Sequence, residues 1–174
     1  FQIRELEGLH VSEILVVGSL AYDSIQTPSG KAERTLGGSA NYFSLAASLS
    51  APVRVVGVVG EDYAEKDKKL LTDRKVDVSG MTVTPGKTFH WEGYYEGDMN
   101  NAITKKTELN VFEKFDPTLP NNYRSSKFVF LANIAPELQV KVLEQVEAPL
   151  FVGMDTMNFW ITSKTDAVKK VLKR

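Results

Sequence analysis

The sequence has 174 residues, of which 43% are hydrophobic and 25% are charged, so we expect one globular domain with a single core. The 21 Lys and Arg residues nearly balance the 22 Asp and Glu residues, without a like-charge block that would indicate binding to nucleic acid or an anionic membrane. Because the chain contains no cysteine, disulfides and thiolate chemistry are excluded.

The N-terminal segment, residues 1–11, alternates charged and apolar residues and lacks the continuous apolar stretch of a secretory signal. No run in the sequence approaches the roughly 18 apolar residues of a membrane span. We therefore expect a cytoplasmic protein that contacts no membrane. His10 and His90 are its two histidines, which together with the missing cysteines excludes a zinc site, and we predict no metal ligands.

The first predicted strand is the apolar run from Ile14 to Gly18, which suits a strand buried on both faces of an α/β sheet. Residues 19–36 are rich in Ser, Pro, Gly and charge, which indicates turns or a short hairpin. From Ser39, small and apolar residues recur at helical spacing until Pro52 stops the pattern. Residues 53–59 predict a second buried strand, and an amphipathic helical segment follows it.

The pattern changes between Met81 and Phe115, where three short strand-like segments, 82–84, 89–96 and 103–112, are separated by turn residues. In the second of these segments the aromatic residues alternate with polar ones. We predict a small antiparallel sheet outside the main layer, formed mainly by residues 81–115 and with residues 19–36 as a further candidate part.

Regular order resumes with a predicted strand at 127–131, a helix from about 136 to 146, a strand at 150–154 and a helix from about 163 to 173. Pro136 and Glu137 are typical of a helix N-terminus. Strands that alternate with helices imply a mostly parallel sheet between helical layers, an α/β/α architecture.

One motif stands out at the start of the first helix, Gly37-Gly38-Ser39-Ala40-Asn41. Two glycines let a backbone approach a ligand closely, and a helix N-terminus presents free N–H groups; an ordinary glycine turn with a serine cap is the alternative. The spacing matches neither a P-loop nor, at Gly18, a dinucleotide fingerprint. Asp23 follows the first strand, where open α/β sheets place ligands, although a turn aspartate has the same pattern.

The order and spacing of these segments resemble the ribokinase-like kinases, also called the phosphofructokinase B family. The segments are GSLAYDSI at 18–25, LGGSANYFSLAASL at 36–49 and VRVVGVVGED at 53–62. Three further phrases are similar to a bacterial sugar-kinase branch: TELNVF at 107–112, FVFLANIAPELQ at 128–139 and DTMNFW at 155–160. The resemblance covers nearly the whole chain and implies a three-layer fold with a small β lid, of which this sequence is the N-terminal portion.

The resemblance assigns substrate-binding roles at matching positions. It implies that Asp23 accepts sugar hydroxyls, that Gly37 and Gly38 bring the backbone against the sugar, and that Asn41 hydrogen-bonds it. Asn133 follows a core strand where the family places another polar group that faces the substrate.

The resemblance also implies a lid whose aromatic residues Phe89, Trp91 and Tyr95 cover the substrate or bury into a homodimer contact; plain packing is the alternative. Asp155 and Asn158 lie close to where relatives carry a segment beside the phosphate-transfer region, and capping or turn roles are their alternative.

The catalytic aspartate of the family lies in a Gly-Ala-Gly-Asp segment, which the sequence does not contain. We expect no magnesium-organising Asn-x-x-Glu segment either, and we predict no catalytic residue in this chain. The resemblance implies ATP-dependent phosphorylation of a sugar or nucleoside hydroxyl, with ATP and magnesium, in a complete enzyme. These 174 residues would supply the substrate side and the lid, and would be inactive and without a cofactor alone.

Two alternatives remain open at this point. The chain could be a natural short protein that binds a sugar or dimerises without catalysis, or an α/β domain whose motif match is incidental. Which sugar or nucleoside binds does not follow from one aspartate, one asparagine and an aromatic lid.

Overall fold

The computed structural model describes residues 13–174, which form nine β-strands and five α-helices. In chain order the strands are β1 (Ile14–Val17), β2 (Ala21–Thr27), β3 (Gly30–Gly37), β4 (Val53–Gly60), β5 (Asp77–Thr84), β6 (Phe89–Tyr95), β7 (Ala102–Glu108), β8 (Phe128–Leu131) and β9 (Phe151–Met154). The helices are α1 (Ser39–Ala47), α2 (Glu65–Asp73), α3 (Pro136–Leu143), α4 (Asn158–Ser163) and α5 (Thr165–Leu172). His10 and the predicted absence of a signal fall on residues 1–12, outside this description.

The main sheet has five parallel strands in the order β5-β4-β1-β8-β9. Its central strands β1 and β4 consist mainly of valine and other apolar residues, and they are buried on both faces. This is the pattern that the apolar runs predicted, because a parallel sheet covered on both sides leaves no strand face for polar residues. The predicted α/β sheet is thus confirmed.

Helices cover both faces of the main sheet. On one face, α1 and α2 pack Ala40, Phe43 and Leu71 onto the valines of β1 and β4, and the ring of Phe43 stacks on Phe130 of β8 at 3.5 Å between centroids. On the other face, α3 and α5 pack Val142 and other apolar residues onto β1 and β8. The three-layer α/β/α architecture follows, since each helix buries one apolar stripe against the sheet.

The second sheet has four strands in the order β3-β2-β6-β7. β2 and β6 run parallel, whereas the two outer pairs are antiparallel, so the sheet is mixed and not purely antiparallel. We call this sheet the lid. Half of it comes from residues 21–37, which the sequence indicated only as a further candidate part of the lid.

Two of the predicted lid segments lie elsewhere. Residues 82–84 form the end of β5, which pairs with β4 in the main sheet, because the chain returns after α2 through a crossover that places the next strand beside the previous one. The segment predicted at 103–112 ends its strand at Glu108 and continues as a 3₁₀ helix, Asn110–Lys114. The predicted final helix is α5, and a short helix that the sequence did not predict, α4, precedes it.

Leu71 anchors α2 to the core and offers a test of the packing. Its side chain is 0% exposed, whereas that of its neighbour Leu70 is 49% exposed. We expect Leu71→Ala to lower the free energy of unfolding by about 2–5 kcal/mol, because it removes buried methyl groups and leaves a cavity. Leu70→Ala is the matched control, with an expected loss below about 1 kcal/mol. Equal losses in urea denaturation would contradict this assignment of the buried face.

β9 is one edge strand of the main sheet and exposes apolar side chains. Leu150 and Phe151 are 76% and 62% exposed.

None of the helices between residues 13 and 174 combines the length and the apolar character needed to cross a membrane.

Candidate functional site

The carboxyl ends of β1 and β8 meet the start of α1 in a small network of hydroxyl groups. Ser19, just after β1, accepts a hydrogen bond from the backbone N–H of Ser39 at 3.3 Å. The Ser39 hydroxyl in turn accepts one from the backbone N–H of Asn133 at 2.8 Å. These bonds join three elements at the edge of the sheet where open α/β folds bind ligands.

Asp23 lies in β2, in register with Thr35 of β3 and Trp91 of β6. Its side chain is half-buried, and no group among residues 13–174 donates a hydrogen bond to the carboxylate. Burial raises the pKa of this carboxyl, and the nearby His90 lowers it by a smaller effect. Asp23 is therefore a partly desolvated acceptor whose two oxygens remain available for hydroxyl groups of a ligand.

Gly37, the last residue of β3, lies directly against this carboxylate. A Cβ atom at position 37 would be 2.5 Å from Cγ of Asp23 and 2.6 Å from each carboxylate oxygen. Only a glycine leaves room for the carboxylate in this position.

Gly38 brings the chain against the turn after β1. Its φ of +86° lies in the region that favours glycine, and a Cβ there would be 2.4 Å from the carbonyl oxygen of Ser19. The backbone N–H of Ala40 donates to that same oxygen at 3.1 Å. The close approach seen at the two glycines is thus to Asp23 and to the chain's own backbone, and the predicted approach to a sugar remains a prediction.

Asn41 is 0% exposed, and its amide is engaged within the protein. Its Nδ2 donates to the carbonyl oxygen of Gly37 at 2.6 Å, and its Oδ1 accepts from the hydroxyl of Tyr63 at 3.0 Å. The amide has no surface that a ligand could reach in this conformation. A direct bond from Asn41 to the substrate remains a prediction, whereas its bond to the Gly37 carbonyl is observed.

Asn133 follows β8 and is half-buried at the same edge. Its Oδ1 accepts a hydrogen bond from the indole N–H of Trp160 at 3.0 Å. An indole nitrogen can only donate, so it holds the amide with its oxygen toward Trp160 and its NH₂ group elsewhere. Lys164 lies over the Trp160 ring at 5.4 Å and pairs with Glu137 at 2.9 Å.

Trp160 was not recognised as part of the site from the sequence. It lies within the DTMNFW segment at 155–160. Gln139, in the FVFLANIAPELQ phrase, is a second such residue: its buried amide donates to the carbonyl oxygens of Leu131, Ala132 and Asp155, which joins the ends of β8 and β9. Neither contact has a sequence signal, because each spans a change of element.

Asp155 directly follows β9, and burial raises the pKa of its carboxyl. Asn158 is the first residue of α4 and is exposed. In the described part of the chain, no three His, Asp or Glu side chains come together in a group that could hold a metal ion.

The expectation that no Asn-x-x-Glu segment occurs is wrong, because Asn110 to Glu113 has that spacing. These residues lie in the 3₁₀ helix that follows the lid strand β7, and the Asn110 amide donates to the backbone carbonyl of Thr88 at 3.0 Å. This segment is thus hydrogen-bonded to the residue that precedes the lid strand β6. Among the described residues it is not part of a cluster of acidic groups.

The three lid aromatics have different surroundings. Phe89 stacks on Phe112 at 5.3 Å between ring centroids, which is packing of the lid onto the 3₁₀ helix. Trp91 is in register with Asp23, and its ring lies across Gly93, with its indole N–H donating to Thr104 at 3.1 Å. Tyr95 ends β6 and is half-buried. Trp91 is thus the lid aromatic in register with Asp23, and its ring extends over Gly93 toward β7.

His90 lies in the lid strand β6, and most of its side chain is buried. Its side chain is 16% exposed and forms hydrogen bonds with the Ser24 hydroxyl at 2.9 Å and with Glu108 at 3.1 Å. Glu108 is in register with His90 on β7, and Ser24 lies on β2 two residues beyond the register partner of His90, on the same face of the lid. His90 therefore connects β2, β6 and β7.

Two surface grooves lie away from this site. One, of about 310 Å³, lies between α3 and α5, and the other, of about 280 Å³, lies between the β4–β5 pair and residues 111–118. Neither contains Asp23, Asn41 or Asn133. The candidate site is therefore identified by its polar groups and its position on the sheet.

Known proteins similar to this chain were found by sequence and by structure, although no family model matches the sequence. A cytidine kinase of Thermococcus kodakarensis is 27% identical over 160 residues, which are 91% of this chain and 55% of that protein. A nucleoside kinase of Methanocaldococcus jannaschii, an archaeal member of the ribokinase family, superimposes with a TM-score of 0.68 at 16% identity, covering 93% of this chain and 58% of that one.

A fructokinase from Xylella fastidiosa, solved with bound ATP, superimposes with a TM-score of 0.68 at 17% identity. That match covers 92% of this chain and 58% of the fructokinase. The chain thus spans little more than half the length of these relatives.

Proposed function

Because the chain has the ribokinase-like α/β fold that its sequence predicted, and resembles sugar and nucleoside kinases of that family, we propose that it binds the acceptor substrate of such a kinase. In a complete enzyme this site would present a sugar or nucleoside hydroxyl to ATP for in-line transfer of the γ-phosphate. The branch within the family and the identity of the acceptor remain part of the proposal.

The observation that carries this proposal is the state of Asp23. Its carboxylate is half-buried beside a glycine that makes room for it, and no donor from residues 13–174 satisfies it. A partly buried carboxylate without a donor costs free energy, and hydroxyl groups of a ligand would offset that cost. The NH₂ group of Asn133, directed away from Trp160, is a donor for a ligand oxygen at the carboxyl end of β8 in the main sheet.

The lid supports a ligand with a flat face as well as hydroxyl groups. Trp91 stands in register with Asp23 on the adjacent strand, so the two side chains share one face of the lid, where an aromatic ring suits a flat ligand. A nucleoside has both features, and the matched proteins include a cytidine kinase and a nucleoside kinase. Cytidine is therefore the first probe to test, with ribose and fructose beside it.

We further propose that these 174 residues bind the acceptor without transferring phosphate. They contain no Gly-Ala-Gly-Asp segment, and no three acidic or histidine side chains come together among residues 13–174. Transfer requires a base and preorganised positive charge around the phosphoryl group, and we propose that the rest of a complete enzyme supplies both. ATP and magnesium are thus proposed for a complete enzyme.

Two further parts of the proposal concern the oligomeric state of the protein and its location in the cell. The outer strand β7 of the lid has almost all of its residues exposed, which suits the predicted pairing of lids in a homodimer. A cytoplasmic location remains a prediction.

A thermal-shift panel tests the binding. Cytidine, other nucleosides, ribose and fructose are each added at increasing concentration, and the midpoint of unfolding is recorded. A ligand present at about 100 times its Kd stabilises the folded chain by roughly 2.7 kcal/mol, which is a clear shift. The proposal of acceptor binding is rejected if no nucleoside or sugar raises the midpoint above that of a non-binding polyol control.

A coupled assay with ATP, magnesium and the stabilising ligand then measures transfer. We expect no product above the background rate, and turnover at the 1–100 s⁻¹ typical of kinases would contradict the second part of the proposal.

A further inference from the structure

A buried chain of hydrogen bonds leads from Tyr63 to the turn beside the candidate site. Tyr63 lies between β4 and α2, and its hydroxyl donates to Oδ1 of Asn41 in α1 at 3.0 Å. Nδ2 of Asn41 donates to the carbonyl oxygen of Gly37 at 2.6 Å. The segment between β4 and α2 and the helix α1 are thereby connected to the last residue of the lid strand β3.

The direction of this chain is determined by chemistry. A carbonyl oxygen can only accept, so the Asn41 amide must turn its NH₂ group to Gly37 and its oxygen to Tyr63. Burial raises the pKa of Tyr63 above its usual range, with smaller contributions from Tyr22 and Asp67, so its hydroxyl keeps the proton that it donates. Without that donor, the buried Oδ1 of Asn41 would lack this partner, and the amide would be free to shift.

Gly37 transmits any such shift to Asp23. The carboxylate of Asp23 packs so closely on Gly37 that a Cβ there would be 2.5 to 2.6 Å from its three atoms. Gly37 is also in register with Ala21, so the last residue of β3 is paired with the first residue of β2. A small movement of the Gly37 carbonyl therefore changes the position of the carboxylate and its access to water.

We propose that Tyr63 is a positioning residue, which sets the Asp23 carboxylate for ligand binding through Asn41 and Gly37. The ligand-binding part of this statement rests on the proposed function. The structural part, that Tyr63 controls the setting of the carboxylate, does not. Tyr63 has no direct bond to Asp23, because Asn41 and Gly37 lie between them in this series of contacts.

The test replaces Tyr63 by Phe, which removes the hydroxyl and keeps the ring. Tyr42→Phe is the matched control, because the Tyr42 hydroxyl donates to the carbonyl oxygen of Leu36 at 2.7 Å, one residue before Gly37, but outside the chain of bonds to Asn41. Circular dichroism and the midpoint of thermal unfolding establish that both variants are folded.

The first readout needs no ligand: the pKa of Asp23 is measured by NMR titration of its carboxyl carbon. In the unmodified chain we expect a pKa above the usual value, because of burial. Tyr63→Phe should bring it back toward the usual value, since a loosened turn admits water, whereas Tyr42→Phe should leave it unchanged. An unchanged Asp23 pKa in Tyr63→Phe overturns the inference, whatever the ligand panel shows.

The second readout is the affinity for the ligand that the thermal-shift panel identifies. We expect Tyr63→Phe to weaken binding about fivefold to tenfold, the range for one lost neutral hydrogen bond, and Tyr42→Phe to change it less than twofold. Equal affinity in Tyr63→Phe and in the unmodified chain would contradict the inference alone. Failure of the unmodified chain to bind any ligand would contradict the proposed function alone.

Discussion

Replacement of Asp23 by Asn is expected to weaken ligand binding by about 100-fold or more, and to leave the ligand-free protein at least as stable as before. The loss corresponds to roughly 3 kcal/mol, which is what two hydrogen bonds to a charged group contribute beyond their neutral equivalents. Isothermal titration with the ligand identified by the thermal-shift panel measures the affinity. Urea denaturation without ligand measures the stability.

The expected gain in stability follows from the pKa of Asp23. Burial raises it, so the folded chain binds this proton more tightly than the unfolded chain does. The carboxyl therefore destabilises the fold at neutral pH, and this destabilisation is relieved as the pH falls through the raised folded-state value. In Asp23→Asn that part of the pH dependence should be absent.

Asp73→Asn is the control for the change from carboxylate to amide, because Asp73 is an exposed residue in a surface ion pair with Lys69. We expect neither affinity nor stability to change appreciably in this variant. If Asp23→Asn bound the ligand as tightly as the Asp73 variant, the carboxylate would not be the acceptor that the proposed function requires.

Replacement of Gly38 by Ala is expected to lower the free energy of unfolding by more than about 3 kcal/mol. An alanine at a φ of +86° carries backbone strain of order 1–3 kcal/mol. Its Cβ would in addition lie 2.4 Å from the Ser19 carbonyl oxygen and 2.8 Å from the Ala21 nitrogen, two backbone atoms that cannot move aside cheaply. The midpoint of urea denaturation should fall at an unchanged slope.

Gly97→Ala separates the two causes. Gly97 also has a positive φ, +58°, but a Cβ there would meet nothing within 4 Å. We expect this control to lose only about 1–2 kcal/mol, from the backbone alone. Equal losses at positions 38 and 97 would mean that the contact between Gly38 and the turn after β1 does not matter for stability.

The main sheet was predicted well from local patterns in the sequence. The apolar runs that became β1 and β4 are buried on both faces, and Pro136 begins α3 as its position in the sequence indicated. The lid was predicted less well, because residues 21–37 and 89–108 pair across a long separation and residues 82–84 join the main sheet instead. Periodicity indicates that a segment is a strand, but its neighbour in the sheet depends on the path of the whole chain.

The candidate site was likewise predicted only in part from the sequence. The sequence indicates one motif from the types and order of four residues that are close together and follow the first strand, where open α/β sheets bind ligands: Asp23, Gly37, Gly38 and Asn41. That Asn41 faces Gly37 and Tyr63, and that Trp160 orients Asn133, could not be predicted. Hydrogen-bond partners across elements are set by how helices and strands pack, and an asparagine has the same sequence signature whether its amide faces a ligand or a neighbouring tyrosine.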